Sequence, residues 1–509
     1  MRFVPFIAAL LAGLAQAASI AAPWNGQPQW WLQLLSLAVL AGVVQHAQTW
    51  RRAAVLAWIF ATAWLSGTFW WLFISMHVYG GLASPLAAAA VLLLAGFLAL
   101  DYVLAGAVLR LARPRHPLLQ SLAFAGAWLL AELLRGTVFT GFPWGASGYA
   151  HVDGPLAALA PFIGVYGIAA VAAFLAYWLA ALVQPSIRTS WRSWIVVGAA
   201  TALLAACNFV ARPGDTAPGN KKLAVALLQG NIPQDEKFEG GKGIPAALQW
   251  YGEQLNAATA PLVVTPETAI PLLPKQLPEG YLDAMAKRFA QGSQAALVGI
   301  PLGSFEEGYS NSVLGFAPGA PQYRFDKHHL VPFGEFIPPL FKWFTRLMNI
   351  PLGDFNRGAL AQPAFAWAGE RLAPNICYED LFGEELAARF ADAAQAPTIF
   401  VNMSNIAWFG DSVAIDQHLA ISRMRAIEFD RPVIRATNTG ATAIVDHRGA
   451  VTQQLPRLTR GVLAGDVEGR TTTTPYVSWL ARFGLLPLWL LGLAAAAAGV
   501  WRRREEARP

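Results

Sequence analysis

The chain has 509 residues, 55% hydrophobic and 13% charged, with a mean hydropathy of +0.40. Soluble globular proteins carry about 25% charged residues, so a wholly soluble fold is excluded and much of the chain belongs in lipid. The net charge of +6 and pI of about 9.4 come largely from Arg in short runs between apolar stretches. Such a pattern carries topology, and no nucleic-acid partner is expected.

Eight apolar stretches follow in chain order, at about 3–22, 29–47, 54–78, 82–109, 117–135, 155–184, 193–210 and 479–501. Each is near the ~20 residues that a helix needs to cross the hydrocarbon core. A polytopic α-helical membrane domain of about eight transmembrane helices is therefore expected, seven before a long mixed region and one after it. Arg2, Arg51, Arg52, Arg110, Arg113, Arg115, Arg188, Arg192 and Arg502 to Arg504 fall on one side, and Arg135 falls on the other. The positive-inside rule then makes both termini cytoplasmic and the long region extracytoplasmic. Trp30, Trp31, Trp50, Trp70 and Trp71 sit near span ends, where an interfacial belt is expected. Arg2 and Ala15-Gln16-Ala17 also fit a cleavable leader, which would leave the downstream sidedness unchanged. Asp101, Glu132 and Arg135 are too few for a transport pathway and read as a structural pair or an interfacial position. Cys207 lies in an apolar run and Cys377 in the mixed region, so no disulfide is expected and Cys377 reads as a free reactive thiol.

The mixed region opens at Ala211–Asn220 and closes at Gly469–Pro475, both polar linkers. Three parts are thus expected: 1–210, a catalytic domain at 211–476, and 477–509. Strand candidates are Leu223–Gln229, Pro261–Thr265, Ala296–Ile300, Ala373–Tyr378, Thr398–Met403, Val433–Thr437 and Ala441–Asp446. Helix candidates lie at about 244–258, 280–291, 382–394 and 414–430. This alternation predicts an α/β sandwich.

Three strings there carry chemistry. Glu267, in Val264-Thr-Pro-Glu-Thr268, follows a buried strand. Burial raises a carboxylate toward the range of a general base, although a helix cap or surface acid reads the same. Lys327 opens Lys327-His-His-Leu-Val-Pro-Phe-Gly-Glu335 and can donate to a developing oxyanion; most lysines are merely solvated. Glu335 is expected to be a second buried carboxylate. The adjacent His328 and His329 would chelate one ion poorly, and no zinc spacing is present, so no metal or cofactor is expected. Cys377, in Pro374-Asn-Ile-Cys-Tyr-Glu-Asp380, ends a strand beside acids, a geometry of exposed thiols; a packed small residue is the competing reading.

Glu, Lys and Cys in this order, each at a strand end, resemble the nitrilase (carbon–nitrogen hydrolase) superfamily over about 223–467. With seven spans before and one after, the whole chain resembles the apolipoprotein N-acyltransferase family. The shared strings are Gly141-Phe-Pro-Trp-Gly145, Leu228-Gln-Gly-Asn-Ile-Pro-Gln234, Lys327–Glu335, Ile376-Cys-Tyr-Glu-Asp380 and Asn402-Met-Ser-Asn-Ile-Ala-Trp-Phe-Gly410. Two departures stand out: Ile406, where an acid is expected, and Phe238, where a Trp is expected.

The resemblance implies an αββα sandwich with Glu267 as base, Lys327 as oxyanion-stabilising charge and Cys377 as nucleophile. Glu335 would position Lys327 or shuttle a proton, and Tyr378 and Glu379 would shape the acyl pocket and hold its loops. Trp408, Phe238 and Trp144 are the remaining auxiliary positions. It implies a ping-pong transfer from the sn-1 ester of a phospholipid, phosphatidylethanolamine foremost, to the α-amine of a diacylglyceryl-cysteine at an apolipoprotein N-terminus. A monomer in a bacterial inner membrane, its catalytic domain facing the periplasm, is the expected setting. Phe336–Pro351 and Ala269–Pro274 are apolar enough to read as lid arms at the lipid surface; packing on the sandwich core is the alternative. Two rivals remain at this point: a membrane-tethered amidase that passes the acyl group to water, and a transporter or scaffold with an inert sandwich.

Overall fold

The computed structural model describes residues 3–111, 117–182, 222–337 and 355–506, with isolated positions between 195 and 206. The chain divides into two compact units: Met1–Phe73 with Ser84–Thr216 and Phe483–Pro509, and Ile74–Ala83 with Ala217–Arg482. The short segment Ile74–Ala83 and residues 477–482 thus group with the mixed region, not with the apolar parts to which the sequence reading assigned them.

The first unit is helical. Four helices among the described residues are long and apolar enough to cross a membrane: Trp50–Phe69, Ser84–Leu111, Pro117–Thr140 and Pro155–Ala181. The expected eight are thus borne out in part: four among the described residues, or five if the broken pair at the C-terminal end counts as one span. Val4–Ile20 and Trp30–Gln45 are apolar but shorter. The expected span 54–78 stops at Phe69, and the expected span 193–210 lies largely outside the described residues. The last one is broken into two helices, Pro475–Phe483 and Leu486–Ala498. Gly484 between them has φ +55, and Pro487 falls in the first turn of the second helix, so a straight helix through 484–487 is disfavoured. Small residues let these helices approach closely. A Cβ at Gly13 would lie 2.2 Å from the Phe60 carbonyl, and one at Gly126 would lie 2.7 Å from the Gly492 carbonyl. Glu132 and Arg135 form a 2.9 Å ion pair with no side-chain exposure. Trp71 is not part of a belt: it is buried and packs on Trp144.

The second unit is a sandwich of two six-stranded sheets, ordered β12-β1-β2-β3-β4-β5 and β11-β10-β9-β8-β7-β6, where β3 is Ala295–Ser304, β6 Phe365–Trp367, β11 Val451–Gln454 and β12 Gly461–Val467. The strands that matter for the site are β1 (Leu223–Gln229), β2 (Leu262–Val264), β4 (Gly308–Phe316), β5 (Tyr323–Asp326), β7 (Glu370–Ile376), β8 (Ile399–Ser404) and β9 (Val433–Thr437). β1 runs parallel to β2, and β7, β8 and β9 run parallel to one another. The period of two sorts their side chains. Leu227, Val264, Leu297, Ile376 and Val401 meet in the core between the sheets. Leu228, Val263 and Val298 turn outward to a second core with Tyr251, Leu255 and Phe289 from the helices Gly243–Ala257 and Tyr281–Ala290. The helix Ala414–Phe429 packs on β9 and β10 (Ala443–Val445). The result is an α/β sandwich of the expected αββα kind.

Candidate active site

The loops that leave the carboxyl ends of β1, β2, β5, β7 and β8 carry the polar residues, as is usual for α/β sheets. Glu267 stands three residues past β2 and Lys327 directly past β5, both buried. Lys327 Nζ lies 2.9 Å from Glu335 Oε1 and 3.4 Å from Glu267 Oε1. Asn311 of β4 donates from one Nδ2 to both carboxylates, at 2.7 Å to Glu267 and 2.9 Å to Glu335. The main-chain N–H of Asn405 donates to Glu267 Oε2 at 2.8 Å, and that of Val331 to Glu335 Oε2 at 2.9 Å. Both acids are therefore fixed by donors on each oxygen. Burial works against the Lys327 charge, but Glu335 and Glu267 outweigh it and raise the lysine pKa.

Cys377 begins a tight turn right after β7 and holds φ +52. That left-handed conformation turns the residue sharply out of the strand, at a cost of about 1–3 kcal/mol for a non-glycine residue. Its carbonyl accepts from Asn402 Nδ2 at 3.3 Å and lies 3.2 Å from His418 Nε2. Burial pushes the Cys377 thiol pKa up and Glu267 adds to this, while Lys327 opposes both. Burial thus favours the neutral thiol over the thiolate.

Glu379 ties two of these loops together. It accepts from the main-chain N–H of His328 at 2.7 Å and His329 at 3.2 Å on one oxygen, and from Ile376 at 2.7 Å on the other. Behind the turn, Asp380 meets His418 Nε2 at 3.1 Å and Arg435 at 3.4 Å, and accepts from Ser422. Burial raises the Asp380 pKa, but His418 and Arg435 outweigh it and hold the group charged.

Residues 12–178 match the apolipoprotein N-acyltransferase N-terminal domain, and residues 179–476 match carbon-nitrogen hydrolase. A protein of Verminephrobacter eiseniae named apolipoprotein N-acyltransferase is 60% identical over 94% of this chain and 92% of its own length. The chain belongs to the apolipoprotein N-acyltransferase family. A second protein of that name, from Ralstonia nicotianae, is 46% identical over 99% of this chain and 94% of its own. Among solved structures, an amidase from Nesterenkonia sp. aligns over 54% of this chain and 98% of its own, at 18% identity and a TM-score of 0.38.

Of the residues singled out from the sequence, Glu267, Lys327, Glu335, Cys377 and Glu379 come together in this family member. Tyr378 is buried against Phe382 and His329, at 5.2 and 5.6 Å between ring centroids. Trp408 is half-buried and meets Tyr79 edge-on at 5.9 Å. Phe238 is exposed, on the loop after β1. Trp144 belongs to the other unit, where it packs on Trp71. Ile406, the departure, is fully buried with Ile415 and Ala441, and Cys377 and Phe409 pack against this cluster; an acid there would be desolvated at high cost. Of the two expected arms, Ala269–Pro274 is corrected: Ala269 and Ile270 are part of the outer core, and Ile270 donates to the Gly299 carbonyl. Most of Phe336–Pro351, together with Cys207, lies outside the described residues.

The sequence reading missed Asn311, Asp380, His418 and Arg435 as contributors. Asn311 sits in Ser310-Asn-Ser312, a polar run that disguises β4 as a loop. His418 and Arg435 are separated from Cys377 by 41 and 58 positions, and only parallel pairing of β7, β8 and β9 brings them near it.

Proposed function

We propose that this chain moves the sn-1 acyl chain of a phospholipid, phosphatidylethanolamine foremost, through a Cys377 thioester to the α-amine of an N-terminal diacylglyceryl-cysteine on an apolipoprotein. Membership of the family makes the chain an apolipoprotein N-acyltransferase, and its full-length relatives carry that name, which disfavours the amidase reading. The inert-sandwich reading loses its footing for the same reason.

The observation that carries the residue assignment is the lysine shared between two buried carboxylates, with the Cys377 thiol beside them. In the first half-reaction the Cys377 thiol gives its proton to Glu267 as its sulfur bonds to the ester carbonyl carbon. The carbonyl electron pair moves to oxygen, and Lys327 stabilises that oxyanion. Collapse expels the glycerol oxygen, which takes the proton back from Glu267 and leaves as a lysophospholipid. In the second half-reaction the α-amine attacks the thioester and loses a proton to Glu267, and the sulfur departs and is reprotonated. Glu335 positions Lys327 throughout, and Glu379 keeps the Cys377 and Lys327 loops in register.

The reading places the helical unit in a bacterial inner membrane and the sandwich on the periplasmic side, as a monomer; the asymmetric distribution of Arg supports that sidedness. Its test uses purified protein, phosphatidylethanolamine with a labelled sn-1 chain and a synthetic diacylglyceryl-cysteine peptide. Label is expected to appear in the peptide as an amide, with little free fatty acid. Rapid release of free fatty acid, with none on the peptide, would return the amidase reading.

A further inference from the structure

The cluster described above contains a charge imbalance. Glu267 and Glu335 bring two carboxylates and Lys327 one ammonium, all with 9% exposure or less. One negative charge in excess, desolvated, is costly. It also opposes the chemistry, because negative charge must develop on the sulfur and then on the carbonyl oxygen in the same place.

A second lysine stands beside this cluster. Lys237, on the loop after β1, is 2% exposed, and its Nζ donates to the main-chain carbonyl of Glu267 at 3.2 Å. Among the described residues no carboxylate lies within 4.0 Å of this ammonium, so it is not neutralised by a partner of its own. Its loop is pinned: Ile232 exchanges main-chain bonds with the Asn438 side chain at 3.0 and 2.8 Å, and Gln234 accepts from Asn405 at 2.9 Å. Asn405 is the residue whose N–H holds Glu267. Lys242, further along, pairs instead with Glu236 at 3.5 Å and is solvent-exposed.

We propose that Lys237 is a second active-site ammonium, which balances the surplus carboxylate and stabilises the charge that develops at Cys377. This rests on the reading of Cys377 as nucleophile. Lys237 keeps its proton through the step, while the Cys377 proton passes to Glu267 as the sulfur–carbon bond forms. With Lys237 charged, the set of two acids and two lysines is neutral before the step. Without it, the sulfur develops its charge against a net negative site. Burial lowers the Lys237 pKa to about 8, opposed by Glu267 and Cys377, the two groups that face it from the loops after β2 and β7. The ammonium is thus present below about pH 8 and lost above it.

The test measures the rate of thioester formation with labelled phosphatidylethanolamine and no acceptor, from pH 6 to 10, in the full-length protein. Wild type is expected to lose rate above about pH 8. Lys237→Met should be slower by about 10²-fold at pH 7 and should lack that alkaline limb. Lys237→Arg should keep most of the rate and move the limb beyond pH 10, and Lys242→Met should match wild type. An unchanged rate and limb in Lys237→Met would overturn the inference alone. If that variant fails to fold, a limb that stays near pH 8 in Lys237→Arg overturns it equally. A wild type that forms no thioester at any pH overturns the nucleophile reading and this inference with it.

Discussion

Each unit of the molecule buries an ion pair, and the two are built differently. In the helical unit Arg135 meets Glu132 one to one. The remaining Arg135 donors go to the Phe142 carbonyl at 2.6 Å, the Trp144 carbonyl at 2.8 Å and Tyr102 at 3.0 Å, and Glu132 accepts twice from Ser147. Charge and hydrogen bonding both close there, and the pair fastens the Gly141–Gly145 loop. In the sandwich Lys327 is divided between two carboxylates beside a thiol, so charge does not close on that lysine. Buried charge alone is therefore no mark of an active site; a lysine shared between two carboxylates next to a thiol is the more telling arrangement.

The largest expected effect breaks the comparison at the nucleophile. Cys377→Ala should remove thioester formation and acyl transfer by at least about 10⁴-fold while its thermal unfolding midpoint stays near that of wild type. Next comes Glu267→Gln, expected to slow acylation by about 10² to 10⁴-fold with normal phospholipid binding, measured by single-turnover kinetics. A pair of double variants then separates the two ion pairs directly. Arg135→Met should cost about 3–5 kcal/mol by stranding Glu132, and adding Glu132→Gln should restore most of it, measured by thermal unfolding in detergent. Lys327→Met with Glu335→Gln should recover stability in the same way yet stay about 10²-fold or more below wild type in acylation. Recovery of activity in that double variant would make Lys327 merely structural.

The smallest effect concerns an acid with no ion pair among the described residues. Burial, together with Glu385, raises the Glu384 pKa to about 7. The folded state then holds this proton more tightly than the unfolded chain, so the group favours folding below about pH 4.5 and that contribution is lost as pH rises to 7. Glu384→Gln should gain on the order of 1 kcal/mol at pH 8 and nothing at pH 4, read from denaturant unfolding at the two pH values.

What was legible in the sequence follows from what is local. β1 and β9 were delimited to the residue because Leu223–Gln229 and Val433–Thr437 are mostly apolar or β-branched and are followed by Gly230 and Asn438. Glu267 and Cys377 were found because each follows such a run, and Lys327 because of the string Lys327–Glu335 that it opens. β4, β5 and the edge strand Val451–Gln454 were missed because their sequences are polar, and they gain their order from neighbouring strands. Val4–Ile20 and Trp30–Gln45 form helices shorter than the apolar runs that contain them, because hydropathy measures apolar length and not where a helix stops. The partners of Cys377 from β9 and the helix Ala414–Phe429 depend on sheet order, which no local window contains.

The most direct test of the account is the mass of the intact protein after incubation with phosphatidylethanolamine of defined sn-1 chain and no acceptor. The expected result is an increase by one acyl group, located on the peptide that holds Cys377, reversed by hydroxylamine and absent from Cys377→Ala. An unmodified wild type, or the same acyl adduct in Cys377→Ala, would contradict it.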